Sequence, residues 1–459
     1  MKRLVVIGGG ISGLAAAREA AKLAGRRIEI LLLEKSDEVG GKAQTRSIGP
    51  WTVETGPIGY LSGEPALDDM VSSMPGREAE SIQADRAAAH RYLVRGGRLR
   101  LVSPHPFRFI RSGLLGAGGI LRMLAEPFVS RAKEEESIWQ FAARRLGAQA
   151  ADRLIAPMVL GVFAGDAKRL SLQAAFPRLA ALEREHGSLV MGMIKSRAQR
   201  PSGAPAEASG SLMSFRHGMQ ELSRQLADSP DFEVRCRSKV QRLQRAQAEG
   251  WSIVVDREPE PIPAQAVVFA SEAWATAEML GRESPALADL LCGIHYPPVA
   301  IVALGFGASA ATKAPTGFGA LIAREEGFRI LGVLFDSQIF PGRAPEGGLL
   351  VRAFLGGAVD PKTAGASSED LVEMARQDVC ALLGLEERPV FSEVVRFERA
   401  IPQYELGHLE RVRSIESEVA RLPGIFLAGN ALHGIAYGKA AAAGVAAGEA
   451  AARYLLGSF

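Results

Sequence analysis

The run Gly8-Gly9-Gly10-Ile11-Ser12-Gly13 constrains this chain more than any other stretch. It is a G-x-G-x-x-G set between the apolar, β-branched Leu4-Val5-Val6-Ile7 and the Ala-rich, helix-prone run from Leu14 to Lys22. The first of these reads as a buried parallel strand. A second apolar strand, Ile28-Glu29-Ile30-Leu31-Leu32-Leu33, delivers Glu34 at its end. Strand, glycine turn, helix and strand together spell a dinucleotide-binding unit. Gly8 permits the tight turn, Gly10 lets the backbone approach a pyrophosphate, and Gly13 allows helix and strand to pack closely. The N–H groups that open the helix, at Ile11 and Ser12, hold phosphates with the help of the helix dipole. Glu34, about 20 residues beyond the glycines, accepts hydrogen bonds from ribose hydroxyls. A secretory leader is the competing reading, since Lys2-Arg3 precedes an apolar stretch. It leaves the glycines and Glu34 without a purpose, and the apolar pattern runs on into a second strand instead of a polar cleavage region.

At 459 residues the chain exceeds one ordinary core, so two or three domains are expected. An apolar content of 47% with 23% charged residues describes a globular protein. The net charge of +3 is slight, and no clustered basic helix or zinc spacing points to nucleic acid. Cys236, Cys292 and Cys380 are odd in number and scattered, which fits a reducing compartment and argues against a disulfide framework or a bound metal. No apolar run is long enough for a spanning helix.

The nucleotide-binding lobe is expected to continue to about residue 80, and strands follow at His90–Val94 and Arg98–Val102 around the Gly96-Gly97 turn. From Pro104 to about Gly203 the chain turns helical and basic. Phe107, Phe109, Ile110, Leu114, Leu115, Ile120, Leu121 and Leu124 alternate there with Arg108, Arg111 and Arg122. Such a mixture suits the interface of an anionic membrane, and it equally suits an ordinary helical core with solvated arginines. The polar, Pro-rich stretch 200–210 reads as a linker. Gln265–Ala270 and Gly424–Asn430 read as returns to the parallel sheet. Pro297–Phe306, Ala320–Ile322, Ile330–Phe335 and Leu349–Leu355 read as an antiparallel sheet between them. The helix from Lys439 to Tyr454 closes the chain.

Beyond the ribose-binding acid stand Gly40-Gly41-Lys42, and then Glu54-Thr55-Gly56-Pro57. The glycine pair and the E-x-G-P turn resemble those of flavoproteins in the amine oxidase and protoporphyrinogen oxidase superfamily, in which the cofactor is FAD. Further segments in that family's order resemble its protoporphyrinogen oxidase branch. They are Gly161–Asp166 with Leu170-Ser171, Phe176-Pro177, Glu183–Leu189, Gly317-Phe318-Gly319, Asp336-Ser337, Phe340-Pro341 and Ala400–His408. The resemblance implies an α/β fold, in which a Rossmann-like FAD-binding domain carries a mixed α+β substrate domain and a helical membrane-associated domain. Residues 1–80, 208–272 and 416–459 would form the first, 81–98 and 273–415 the second, and 99–207 the third.

The implied activity is oxidation of protoporphyrinogen IX to protoporphyrin IX, within haem biosynthesis. Hydride passes from a meso carbon to the flavin, and oxygen is the final acceptor. The same chemistry on coproporphyrinogen III, or another amine-oxidase-like FAD reaction, is the alternative. Because the cofactor carries the hard chemistry, no catalytic side chain is assigned, and His186, His408 and His433 are expected to be structural. By resemblance the FAD contacts include Lys35, Gly41, Lys42, Gly56, Pro57, Ile58, Val240, Ala270, Gly429, Asn430, Ile435, Ala436 and Lys439. Arg91 would pair with a propionate, Gly161 would let the macrocycle pass, and Phe318, Leu321 and Phe354 would sandwich its pyrroles. Two positions depart from the family pattern. Ile58 stands where Asn or Arg is usual, and Lys439 follows in place of an Asp-Cys pair. Lys439 is expected either to lend its charge to the flavin or to turn to solvent or pair with a carboxylate. The partners implied are the porphyrinogen, oxygen, a membrane met peripherally on the inner face of the cell membrane from the cytoplasm, and ferrochelatase for hand-over. Monomer and homodimer both stay open.

Overall fold

Strands drawn from distant parts of the chain meet in two main sheets. β1 (Lys2–Ile7) leads through the glycine turn into α1 (Ile11–Ala24) and β2 (Ile28–Leu33). β3 (Trp51–Glu54), β4 (Arg91–Arg95) and β5 (Arg98–Leu101) follow. Six helices come next: α2 (Pro106–Arg111), α3 (Ala117–Leu124), α4 (Ile138–Leu146), α5 (Ala156–Phe163), α6 (Pro177–His186) and α7 (Leu189–Ala198). β6 (Glu233–Arg235) and β7 (Ala266–Phe269) precede β8 (Val299–Phe306), β9 (Gly319–Leu321), β10 (Gly332–Leu334) and β11 (Leu349–Gly356). The chain ends with α8 (Ser368–Leu383), β12 (Phe391–Phe397), β13 (Ile425–Leu427) and α9 (Tyr437–Leu456). This computed structural model describes residues 1–74, 76, 80–198, 210–246 and 250–457. The expected linker at 200–210 thus lies outside the described residues but for its last position.

The first sheet is parallel, in the order β6-β2-β1-β7-β13. Its strands are apolar throughout because both faces are covered: Leu4, Val6 and Leu32 face one core, and Val5, Ile7 and Leu31 the other. On the first face α9 lies directly on α1. A Cβ at Gly444 would sit 2.1 Å from the Ser12 carbonyl oxygen, and one at Gly448 would sit 2.2 Å from that of Ala16. Two glycines one turn apart therefore set how closely the helices approach.

The second sheet has the order β12-β8-β11-β10-β9-β4-β5. It is antiparallel as expected except next to its β4–β5 edge, where β9 runs parallel to β4 with Gly319 opposite Arg91. β12 escaped the sequence reading, whereas β4 and β5 were both expected as strands and join this sheet. One face packs under α8, burying Ala300, Val302, Val333, Val351 and Leu371. The other face meets β3 and the turn at 54–57, where Trp51 stacks on Phe391 with centroids 5.2 Å apart.

The expected domain boundaries shift accordingly. The limit at 98/99 falls inside β5, which pairs with β4 as far as Leu101 opposite Tyr92. The stretch 273–296, expected with the second sheet, buries Ala277, Leu280, Leu287 and Tyr296 beneath the parallel sheet. Helices α2–α7 do occupy the expected helical region. Among the described residues no helix is long and apolar enough to cross a membrane.

Candidate active site

The glycine turn is built as its spacing demands. Gly8 has φ +112°, and a Cβ there would lie 2.8 Å from the Ala270 carbonyl oxygen. At Gly13 a Cβ would lie 1.8 Å from the Gly8 carbonyl oxygen. Gly10 is different: an added Cβ would meet nothing nearer than the Gly41 Cα at 3.9 Å. Space is therefore left beside Gly10 where a pyrophosphate needs it. Glu34 is buried and its carboxylate accepts from Gly9 N–H at 2.6 Å and Ser36 N–H at 2.8 Å. Ser238 N–H donates to the Glu34 carbonyl at 2.8 Å, which brings the buried Val240 alongside, and Lys35 lies 5.8 Å from the Trp274 ring centroid.

Two helix N-termini converge on this end of the parallel sheet. Neither α1, entered from Gly10, nor α9, entered from Ala436, has a side-chain cap or an acidic residue in its first turn. The Ser12 hydroxyl donates to the Ala440 carbonyl at 2.7 Å, so the two openings lie side by side. Their uncapped N–H groups and dipoles form an anion cradle. The loop that enters α9 is held from outside. The Tyr404 hydroxyl donates to the Asn430 carbonyl at 2.5 Å and accepts from Gly434 N–H at 2.7 Å. His408 stacks on Tyr404 at 4.1 Å, and its Nε2 lies 3.1 Å from the Leu432 carbonyl. Burial pushes the His408 pKa down, so this histidine is neutral and structural as expected. Ile435 packs against the core of α4 and α5.

Of the two courses open to Lys439, the structure shows the carboxylate pair. Lys439 stands in the first turn of α9, yet its Nζ bonds to Glu64 at 2.6 Å and its side chain is half exposed. A carboxylate already matches the charge assigned to the flavin. Lys42 is likewise matched, by Glu272 at 2.5 Å and by the Ala400 carbonyl.

The turn at Glu54–Pro57 rests on buried charges that the sequence reading overlooked. Glu54 is fully buried; Thr45 Oγ1 donates to it at 2.8 Å, and Arg343 pairs with it at 3.2 Å. Arg352, also fully buried, donates through Nη1 to the Glu54 and Gly56 carbonyls at 2.7 and 2.8 Å, and pairs through Nε with Asp336. Burial pushes the Glu54 and Asp336 carboxyls up, against the pull of the arginines. Asp336, from the signature Asp336-Ser337, and Arg343, just beyond Phe340-Pro341, thus support the turn. The signal was available: a lone Arg352 inside Leu349–Leu355 must find a partner.

The five substrate residues named from the sequence gather on the sheet face that meets this turn. Phe354, Gly332 and Leu321 stand in one cross-strand row through β11, β10 and β9. A Cβ at Gly161, on α5, would lie 2.2 Å from Leu321 Cδ2. The Arg91 guanidinium lies 5.3 Å from the Phe318 ring centroid. Phe318 in turn packs with Ile58 and Phe340. Four separate segments so form an apolar wall with a cation at its rim, beside a dinucleotide cradle.

Residues 11–456 match the family model described as flavin containing amine oxidoreductase. Protoporphyrinogen oxidase 2 of Arabidopsis thaliana is 30% identical, over 99% of this chain and 94% of its own length. The coproporphyrinogen III oxidase of Bacillus subtilis is 29% identical, over 99% of this chain and 98% of its own. A crystal structure from Exiguobacterium sp. 255-15 superposes with a TM-score of 0.85 at 24% identity, over 98% of both chains. Reduced UDP-galactopyranose mutase gives a TM-score of 0.72 at 16% identity; these two likenesses carry the fold alone.

Proposed function

This chain belongs to the flavin containing amine oxidoreductases and uses FAD, and on that premise we propose that it oxidises a porphyrinogen to the porphyrin. The observation that carries the proposal is the apolar wall of Phe354, Leu321 and Phe318, with Arg91 at its rim, set beside the Glu54–Pro57 turn. What bound FAD supplies is two-electron oxidation, repeated three times, with molecular oxygen as the acceptor. The protein's share is to bind, orient and exclude water. The N–H groups opening α1 and α9 take the pyrophosphate and the flavin's anionic end, and Glu34 takes the ribose. Arg352 fixes the turn against the sheet. The wall holds the macrocycle and Arg91 pairs with a carboxylate arm, while the space of a side chain at Gly161, expected to let the macrocycle pass, is taken by Leu321. No side chain is needed as a base, since pyrrole protons pass to water.

Protoporphyrinogen IX is one reading of the substrate, supported by a relative of that activity. Coproporphyrinogen III is the second, favoured by a relative of that activity at nearly equal identity. The division into FAD-binding, substrate and helical units belongs to this proposal, as does peripheral attachment to the inner face of a cell membrane. The attachment is supported by the outward Phe107, Ile110, Leu121, Leu124 and Phe128. Leu114 and Leu115 are instead core, and Arg122 is turned to the carbonyls of Arg144 and Arg145. Oxygen uptake with each porphyrinogen, followed together with porphyrin fluorescence, tests the activity. Uptake with neither would sink it.

A further inference from the structure

The substrate face of the second sheet carries more positive charge at its β4–β5 edge than the two carboxylates there match. Residues paired across neighbouring strands point the same way. Leu93 is opposite Leu321, Arg100 is opposite Leu93, and Arg98 is opposite Arg95. Arg91, Arg95, Arg98 and Arg100 therefore stand on the face of Leu321 and Phe354, while Val94 and Leu99 turn to the core under α8. Arg95 is matched by Glu325 at 2.7 Å and Glu326 at 3.1 Å, and Glu325 also pairs with Arg153 at 3.2 Å. Arg91, Arg98 and Arg100 are exposed, and among the described residues no carboxylate pairs with them. Like charges opposed or diagonal across a strand pair repel. Arg98 directly faces Arg95, and Arg91 stands diagonal to Arg100 at roughly 7–8 Å. Such an edge is unfavourable until anions reach it.

Strands lie about 4.8 Å apart, so Arg100 on β5 is about 10 Å beyond Leu321 on β9, and Phe354 is equally far on the other side. A tetrapyrrole resting on Leu321 and Phe354 ends above β9 and β4, and its carboxylate arms then extend over β4 and β5. We infer that Arg98 and Arg100 continue the carboxylate site begun by Arg91, and that the preferred porphyrinogen is a tetracarboxylate and not a dicarboxylate. This rests on the porphyrinogen reading above.

The flavin-loaded enzyme and its Arg98→Gln/Arg100→Gln variant are compared with coproporphyrinogen III and protoporphyrinogen IX. The wild type is expected to favour the former in kcat/KM. The variant should raise KM for coproporphyrinogen about tenfold and for protoporphyrinogen at most about threefold. An unchanged ratio of the two KM values overturns the inference. A second measurement needs no turnover: titration of the same proteins with coproporphyrin III and with its tetramethyl ester. The acid should bind the wild type about tenfold tighter than the ester, and the variant should lose most of that preference. Acid and ester binding alike also overturns the site. Arginine-dependent preference for the acid, with neither porphyrinogen oxidised, supports the carboxylate site while overturning the oxidation reading.

Discussion

Gly10 and Gly13 show how single residues of one motif carry different duties. Gly10 has φ −75° and ψ 176°, a conformation open to any residue, and free space around its Cα. Gly10→Val should therefore fold normally and lose the flavin, since the branched side chain takes the pyrophosphate's place. Gly13→Ala presses a methyl into the Gly8 carbonyl and should lower stability by about 2–4 kcal/mol whether or not flavin is present. Thermal melts of both proteins with and without FAD separate the two duties; a destabilised, flavin-binding Gly10→Val would reverse the assignment. Both glycines were legible because their task is local. Lys439 was not, because its partner Glu64 lies more than 370 residues earlier and no local pattern names it. With that pair formed, Lys439→Met should leave the flavin's reduction potential within roughly 10 mV of wild type, about 0.5 kcal/mol for a two-electron couple. A shift of several tens of millivolts in dye-linked photoreduction would show that the lysine leaves Glu64 for the ring.

Elements were legible where burial writes a pattern and illegible where it does not. β1, β2 and β7 are apolar on both faces and stood out, whereas β12 is an edge strand with little buried surface. The parallel pairing of β9 with β4 joins residues 91 and 319, a choice of partner that tertiary packing makes and no turn announces. The signature Glu183–Leu189 was seen without its purpose, which is a buried clamp on the helices. Glu126 accepts from Ser188 Oγ at 2.6 Å, Leu189 N–H at 2.8 Å and Arg145 at 3.2 Å, and Arg145 also pairs with Glu183. Burial opposes the Glu126 charge, but these donors outweigh it and hold the carboxyl below its ordinary 4.5. A depressed pKa gives stability that is present above pH 4.5 and lost as pH falls through the folded value. Glu126→Gln should cost about 2–4 kcal/mol at neutral pH, with the gap narrowing as pH falls below 4.5. Melts followed by circular dichroism from neutral pH to well below 4.5 check it; a gap independent of pH would mean the loss is one of packing and not of charge.

At the scale of the whole molecule, one set of large apolar residues is left exposed together among the described residues. Phe107 is 74% exposed, Leu121 68%, Leu124 66% and Phe128 90%; they stand on α2, α3 and the turn just after, with Arg108 and Arg111 exposed beside them. Leu114 and Leu115, between these same helices, are buried instead. Their solvent exposure runs against the hydrophobic effect by about 1.5–3 kcal/mol for each large side chain. An anionic bilayer answers both features, taking the apolar groups into its interface and drawing the arginines to its headgroups. A porphyrinogen with a large apolar ring would then enter from the surface in which it accumulates. The protein should co-sediment with anionic vesicles at low salt and less so at high salt, where the screening length shrinks from about 10 Å to 3 Å. Phe107→Ser/Phe128→Ser alters exposed side chains only, so it should keep the fold and lower vesicle binding at least tenfold, the loss of about 1.4 kcal/mol or more. Wild type that stays in the supernatant at both salts would leave these residues to a protein partner and remove the membrane from the function.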